Sequence, residues 1–388
     1  MVVAMLVMND MSFDQRVHRE ATSLGGAGYD VTVFCLRGQG LPDTEERPGY
    51  RVVRVADATT VGWSRPMTKI RQSRRRTRVL AQAAAATRPS VVHAHDTDCL
   101  PAGARVARWA GAKLVYDAHE LFPDQFIGSK NVVSVLVRAW WRAVERRLVP
   151  RADAVITVSP GLAEVLAARF GVRVSVVRNV PPLAPLRRSA RLRAELGIPE
   201  DVAIVLYQGL LLPERGLVEL VESMARVDGA MLVIQGSGPE EGAMREAAER
   251  AGVVDRVRFM GWVRPADAHE YATGADIGVV TYGAETLNNR LAGPNKMFVY
   301  LMAGLPIAAR GFPGPREIVL GERVGDVFDE ATPACMAATL SRMLSDRDEL
   351  GRAALRARAA AETKYNWERE SASLLEVYAR LVPEEASS

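Results

Sequence analysis

At 388 residues and 42.3 kDa the chain exceeds one ordinary core and suits two domains of ~150–200 residues. Hydrophobic residues make up 48% and charged ones 25%, which excludes a largely disordered chain; three scattered cysteines (Cys35, Cys99, Cys335) exclude a disulfide framework and a cysteine-rich zinc site and fit a reducing, cytoplasmic compartment. The net charge of +4 is more than accounted for by one window, Arg65 to Arg78, which holds seven basic residues and no acidic one, so a nucleic-acid binder with charge spread along a whole face is excluded.

The start, MVVAMLVMND, lacks the basic leader of a secretion signal, and no apolar run approaches the ~18–20 residues of a membrane span. Val2–Met8 reads as a strand that breaks at Asn9-Asp10-Met11-Ser12. A helix follows with Val17, Ala21 and Leu24 on one face, closed by Gly25, Gly26 and Gly28. Val31–Leu36, Val91–Ala94, Lys113–Asp117, Ala154–Ser159 and Val174–Arg178 are the next predicted strands, with helices between most of them. Strands alternating with helices imply right-handed crossovers and a parallel, doubly wound sheet.

Asn179–Ser189 (NVPPLAPLRRS) carries three prolines without a period and reads as a linker. The alternation then restarts with strands at Val202–Gln208, Met231–Gln235, Arg256–Met260 and Ile277–Thr281. Leu217–Arg226 and Glu240–Ala251 are helices, and the tail from Asp346 to Leu381 is helical. Two sheet domains of this kind are expected to hold ligands in a cleft facing the carboxyl ends of their strands.

The first strand ends without glycine, which argues against a dinucleotide-binding G-x-G-x-x-G turn at the N-terminus. Gly236-Ser237-Gly238-Pro239 follows a strand and opens a helix. Its backbone N–H groups would cradle a phosphate or sugar, or the glycines would serve only a tight turn. Pro294 suits the first turn of a helix, whose N-terminus presents free N–H groups and a positive dipole end. Lys296 in that turn is unfavourable for the helix itself and invites an anionic partner. Asp96-Thr97-Asp98 spells an Asp-x-Asp, a metal motif elsewhere, but reads here as a polar strand end. His18 and His269 read as surface or helix-packing residues.

Together these segments resemble the GT-B glycosyltransferases, specifically glycosyltransferase family 4. The resemblance rests on Asp14–Ala21 (DQRVHREA), Val92–Asp96 (VHAHD), Tyr116–Leu121 (YDAHEL), Ala152–Ser159, Tyr207-Gln208-Gly209, Arg215-Gly216, Gly236–Pro239 and Pro294–Pro306, and it covers nearly the whole chain. It implies an α/β fold of two Rossmann-like doubly wound domains facing each other across a cleft. Residues 1–180 would form the acceptor-side domain, 181–192 the linker, 193–365 the nucleotide-sugar domain, and 366–388 a helix crossing back.

The implied activity is a retaining, metal-independent sugar transfer from a nucleotide-diphosphate donor to an acceptor hydroxyl, with no cofactor and no nucleic-acid partner. Such chemistry needs cations where the leaving diphosphate develops charge. By the resemblance Arg215 and Lys296 hold the diphosphate, while His119 orients the sugar and stabilises positive charge at the anomeric carbon. Gly209, Gly216, Gly236 and Gly238 bring backbone to the donor. Trp262 and Val263 lie in the base-binding loop, and Glu285, Asn288 and Asn295 face the sugar and phosphates. Asn9, Asp10, Arg16, His95 and Asp96 line the acceptor side. Two departures stand out: Leu210 replaces a second phosphate arginine, and Leu291 and Val299 occupy the positions of two donor-flanking glutamates. Valine cannot grip a ribose 2′-hydroxyl, so tolerance of a deoxythymidine-diphosphate sugar is expected. The basic window 65–78 would touch anionic lipid or an anionic acceptor. Alternatives from other classes are a UDP-sugar 2-epimerase and a non-catalytic glycan-binding or regulatory protein.

Overall fold

A computed structural model describes residues 1–57, 66–126, 132–282 and 286–381. Glu285 and Arg65 lie outside the described residues. The chain divides into two compact units, Met1–Arg178 with Glu370–Ser388, and Asn179–Arg369.

The first unit runs β1 (Val2–Leu6), α1 (Gln15–Gly26), β2 (Asp30–Arg37), β3 (Thr44–Arg47), β4 (Tyr50–Asp57), α2 (Pro66–Ala86), β5 (Val91–His95), α3 (Asp96–Ala110), β6 (Lys113–Ala118), α4 (Val132–Leu148), β7 (Ala154–Thr157), α5 (Pro160–Phe170) and β8 (Val174–Val176). Its sheet has the order β3-β4-β2-β1-β5-β6-β7-β8. Every ladder is parallel, as a doubly wound sheet requires, except β3–β4 at its edge. Arg47 pairs with Tyr50 across Pro48-Gly49, and Gly49 has φ 82°. A Pro-Gly turn closes this hairpin because proline presets one dihedral and glycine accepts the positive one. Both hairpin strands escaped the sequence reading: charged TEER does not look like a strand, yet charge suits an edge.

Asp14 caps α1 by accepting from the Val17 N–H at 3.1 Å, and Val17, Ala21 and Leu24 are buried as the helical period requires. Arg16 and Glu20 are buried on the same helix. Asp96-Thr97-Asp98 opens α3 rather than ending a strand. Helix α2 packs on α3, and α3 on α4.

The second unit continues α6 (Arg191–Leu196), β9 (Ala203–Gln208), α7 (Leu217–Ser223), β10 (Ala230–Gln235), α8 (Glu241–Arg250), β11 (Val257–Gly261), α9 (Pro265–Thr273), β12 (Ile277–Val280), α10 (Leu287–Leu291), α11 (Asn295–Met302), β13 (Ile307–Arg310), α12 (Pro313–Gly321), β14 (Gly325–Phe328), α13 (Pro333–Ser345), α14 (Arg347–Thr363) and α15 (Trp367–Leu381). The sheet order is β11-β10-β9-β12-β13-β14, and all its ladders are parallel. Strands β13 and β14, four residues each, were not anticipated. Successive β9 residues enter opposite cores: Ile204 and Leu206 one, Ala203, Val205 and Tyr207 the other. The helical tail is two helices, broken at Lys364–Asn366.

The proline-rich 179–190 segment is bound to its unit. Val180 is fully buried, and the Pro181 carbonyl accepts from the Trp367 N–H at 3.0 Å. From Glu370 onward α15 belongs to the first unit, where Glu370 accepts from the Arg178 backbone N–H at 2.7 Å and its guanidinium at 3.1 Å.

Both sheets reverse their winding once. In the first the switch falls between β1 and β5, in the second between β9 and β12. Crossovers leave those points in opposite directions, opening a crevice at the carboxyl ends of the strands. Helix α11 is seated over the second switch by Tyr300, whose hydroxyl accepts from the Gln208 N–H at 2.9 Å. Gly278 on β12 makes the room: a methyl there would lie 2.5 Å from the Tyr300 ring. Gly278→Ala should therefore destabilise the protein by ~1–3 kcal/mol in urea unfolding, as overpacking does. Gly242→Ala, at a helical position where a methyl meets nothing within 4 Å, should be neutral or stabilising.

Candidate active site

In the second unit two cations gather at the β9/β12 switch. Lys296 stands in the first turn of α11, and its Nζ lies 3.7 Å from the Tyr207 ring centroid. That Nζ is buried and has no hydrogen-bond partner among the described residues. Burial, then the neighbouring Arg215, pushes its pKa well below the ordinary lysine value. Arg215 ends a short turn, Pro213–Arg215, with its Cζ 4.7 Å from the Tyr282 ring centroid. Gly209 has φ 136°, and a methyl there would sit 3.2 Å from the Lys296 Nζ. The bare backbone is what leaves space beside the ammonium. Gly216, at φ 64°, turns the chain into α7. Leu210 is 61% exposed and supplies no charge. At the carboxyl end of β13, Arg310 is buried and stacks 5.0 Å from the Phe312 ring centroid. Sequence reasoning missed this cation because its strand was missed.

Of the two roles expected of the Gly-Ser-Gly-Pro turn, the geometry favours the tight turn over the phosphate cradle. The Gly236 N–H is spent on the Gly261 carbonyl at 2.8 Å, and a methyl on Gly236 would lie 1.8 Å from the Gly209 oxygen. A methyl on Gly238 would lie 2.2 Å from the Leu211 oxygen. These glycines are demanded by close packing of neighbouring loops, and Gly236 has no free N–H for a phosphate. Trp262 is 60% exposed after β11, while Val263 packs partly into the core. Asn288 lies in α10, and Asn295 is exposed at the start of α11. Val299 is half-buried, three residues after Lys296 and so on the same helical face.

In the first unit, the β1/β5 switch holds a chain of carboxylates and histidines. His119 Nδ1 lies 3.1 Å from Asp96 Oδ2, and its Nε2 lies 3.0 Å from Asp117 Oδ2. Burial opposes charging this ring, but Asp96 and Asp117 outweigh it and hold its pKa well above the usual value. Asp96 sits at φ 62°, a strained conformation that aspartate tolerates better than most residues, and also accepts from the His119 N–H at 3.1 Å. Arg16 grips Asp117 through Nε and Nη2 at 2.8 and 2.7 Å, and its Nη2 is 3.0 Å from Glu20 Oε1. Burial raises Asp117, yet the opposing effect of Arg16, then His119, holds it well below the usual carboxylate range.

Two acceptor-side expectations are corrected here. Arg16 is 3% and His95 1% exposed, so neither presents a surface to an acceptor. Both act through Asp117, to which His95 Nδ1 lies at 3.2 Å. Asn9 and Asp10 shape the loop after β1, accepting from the Met11 and Ser12 N–H groups at 2.9 and 3.0 Å. Two further carboxyls adjoin the site: burial, then the Asp96 charge, pushes both Asp98 and Glu120 up to about 7. No sequence pattern marks such a shift, which arises only from packing.

Glu20, His93, His95 and Asp117 present metal-type ligand atoms within 4.8 Å of one another. The Arg16 guanidinium already lies against both carboxylates, so the positive charge of this cluster is a side chain's.

Arg16→Met should cost ~3–5 kcal/mol in chemical denaturation, because it strands two buried carboxylates. Asp98→Asn tests the pH behaviour. A carboxyl raised to about 7 in the folded state favours folding while protonated and loses that contribution as pH rises from near 4 through 7. Wild-type stability relative to the variant should therefore fall between pH 5 and pH 8, by roughly 1–3 kcal/mol, in paired urea titrations.

Comparison with known proteins matches both halves of the chain. The model described as Glycosyltransferase Family 4 covers residues 14–183, and that described as Glycosyl transferases group 1 covers 202–346. A GDP-mannose-dependent alpha-(1-6)-phosphatidylinositol monomannoside mannosyltransferase of Mycobacterium tuberculosis is 26% identical over 374 residues, 90% of each chain. A 2-deoxystreptamine N-acetyl-D-glucosaminyltransferase of Streptomyces fradiae is 27% identical over 335 residues, 78% of this chain and 75% of that one. Among solved structures, sucrose-phosphate synthase from Thermosynechococcus elongatus superposes with a TM-score of 0.82 at 20% identity, covering 98% of both chains. Anabaena HepE in complex with UDP-glucose gives 0.75 at 16% identity, covering 98% of this chain and 100% of that one. With both sheets doubly wound and both halves matched by glycosyltransferase models, the chain is a glycosyltransferase of GT-B fold.

Proposed function

We propose that this glycosyltransferase moves a sugar, with retention of anomeric configuration and without a metal ion, from a nucleotide-diphosphate donor to an acceptor hydroxyl. One observation carries the reading: a buried ammonium, Lys296, has no hydrogen-bond partner among the described residues and stands beside Arg215 at a helix N-terminus. Burying an ammonium beside a second cation without an anion is unfavourable, and a diphosphate relieves it. The attraction grows as the glycosidic bond breaks and charge accumulates on the leaving oxygen, which is what a catalytic electrostatic group must do.

On the first unit, the two His119 nitrogens already face Asp96 and Asp117. Orienting the sugar therefore falls to the His119 backbone carbonyl and to Asp96, whose side chain is 25% exposed. Carboxylate and carbonyl oxygens also suit positive charge developing at an anomeric carbon. The relatives named above act on a phosphatidylinositol mannoside and on 2-deoxystreptamine, which supports a glycolipid or natural-product acceptor.

A panel of nucleotide sugars crossed with these acceptor classes, read by mass spectrometry with the product anomer assigned by NMR, tests the reading. Sugar release that needs acceptor supports transfer; an isomerised donor without acceptor indicates epimerase chemistry instead. Arg215→Ala and Lys296→Ala should each lose ~2–4 kcal/mol of transition-state stabilisation in kcat/KM, and EDTA should leave the wild type unchanged. Full activity of the double variant would overturn the assignment.

Val299 supports a second specificity. Lying one turn beyond Lys296, it offers a ribose no hydrogen bond, so a 2′-hydroxyl there is desolvated at a cost of ~1–3 kcal/mol. A dTDP-sugar should match or exceed its UDP counterpart in kcat/KM, and Val299→Glu should shift the ratio toward UDP. An unchanged, strong wild-type preference for UDP would refute this.

A further inference from the structure

We propose that Tyr378 is a positioning residue for sugar transfer: its hydroxyl fixes the tautomer of His93 and, through that ring, the setting of the Asp117–His119 pair. The proposal rests on the transfer reading above and extends it to helix α15.

The Tyr378 hydroxyl lies 2.9 Å from His93 Nδ1, and both residues are fully buried. Burial, then the Glu20 charge, holds the phenol well above its ordinary pKa, so it keeps its proton. Burial, then His95, pushes His93 well below its ordinary value, so that ring is neutral and carries a single N–H. The phenol proton has no other acceptor among the described residues. His93 Nδ1 therefore accepts, and the ring proton falls on Nε2, which lies 3.8 Å from Glu20 Oε2. The opposite tautomer would set an imidazole lone pair against carboxyl oxygens.

Two routes lead from this ring to His119. In the first, Glu20 Oε1 lies 3.0 Å from Arg16 Nη2, and Arg16 holds Asp117 at 2.8 and 2.7 Å. In the second, His93 stacks on His95 at 4.3 Å between centroids, and His95 Nδ1 lies 3.2 Å from Asp117 Oδ2. Both end on Asp117, whose Oδ2 lies 3.0 Å from His119 Nε2. The groups around His93 are thus Glu20 and Arg16 of α1, His95 of β5, Asp117 and His119 at the end of β6, and Tyr378 of α15. Both Glu20 oxygens, His93 Nε2 and His95 Nε2 are buried without a hydrogen bond among the described residues. The layer has little else to fix its ring orientations, so the Tyr378 bond decides them. Packing alone does not account for a tyrosine here. Its ring meets Tyr29 edge-on at 5.5 Å, and phenylalanine would do the same without burying a hydroxyl.

Nitrogen NMR of the full chain labelled with 15N-histidine reads the tautomer, His93 being assigned by the signal lost in His93→Gln. Wild type should show His93 protonated at Nε2, and Tyr378→Phe a mixture of both tautomers. In transfer assays Tyr378→Phe should lower kcat about tenfold and leave the donor KM unchanged. It should also move the acid limb of the kcat profile to higher pH, because a lone pair facing Glu20 raises the proton affinity of the neighbouring carboxyls. In a His93→Gln background the same substitution should have no further effect on kcat, since the coupled pair is already broken. Tyr29→Phe, which alters the same packing without this hydrogen bond, should leave tautomer and pH profile as in wild type. An unmoved tautomer and pH profile in Tyr378→Phe, or full additivity with His93→Gln, overturns the proposal. Absence of transfer by the wild type overturns the transfer reading, whereas wild-type transfer with an unmoved tautomer in Tyr378→Phe overturns this proposal alone.

Discussion

A parallel sheet can reverse its winding only by sending two successive crossovers in opposite directions, and the strands they leave then share an uncovered carboxyl edge. Both units of this protein are built on that constraint. At β1/β5 the edge collects the His119 network; at β9/β12 it collects Lys296 and Arg215. The backbone there is held by packing rather than by ligand contacts. Gly236 and Gly238 lie against the Gly209–Leu211 segment so closely that any side chain would collide. The loops are thereby preorganised, and a substrate entering them has little ordering left to supply.

The two edges solve their electrostatics in opposite ways. At the first edge each cation meets carboxylates: Arg16 lies between Glu20 and Asp117, and His119 between Asp96 and Asp117. The Tyr378 hydroxyl of α15 extends this chain, lying 2.9 Å from His93 Nδ1, while His93 stacks on His95 at 4.3 Å between centroids. Such a network is rigid because removing one member strands another in a low-dielectric interior. In the second unit the charge is left unanswered. Lys296 rests on the Tyr207 ring, a cation–π contact that offsets only part of its desolvation.

Much of this was legible in the chain itself. The alternation of apolar runs with helical patterns was enough for two doubly wound sheets, and α1, α8 and the central strands fall within a few residues of their expected bounds. Lys296 behind Pro294 stood out because a cation in a first helical turn opposes the dipole. The four-residue strands β13 and β14 were too short for any period to register. The hairpin β3–β4 carried a Pro-Gly turn between charged residues, which outweighed the turn signal.

Composition, periodicity and local turn chemistry thus determined the fold class and the identity of the charged residues, since these depend on near neighbours in the chain. Which of those residues reach a substrate was decided by tertiary structure alone. Arg16, only two residues beyond the Asp14 cap, ends buried on Asp117, 101 residues away, while Asp96 keeps a quarter of its side chain exposed. Burial, and with it the pKa of Asp98 and Glu120, comes from side chains brought together by distant crossovers. Desolvation is a property of the surroundings, and a linear sequence does not contain them.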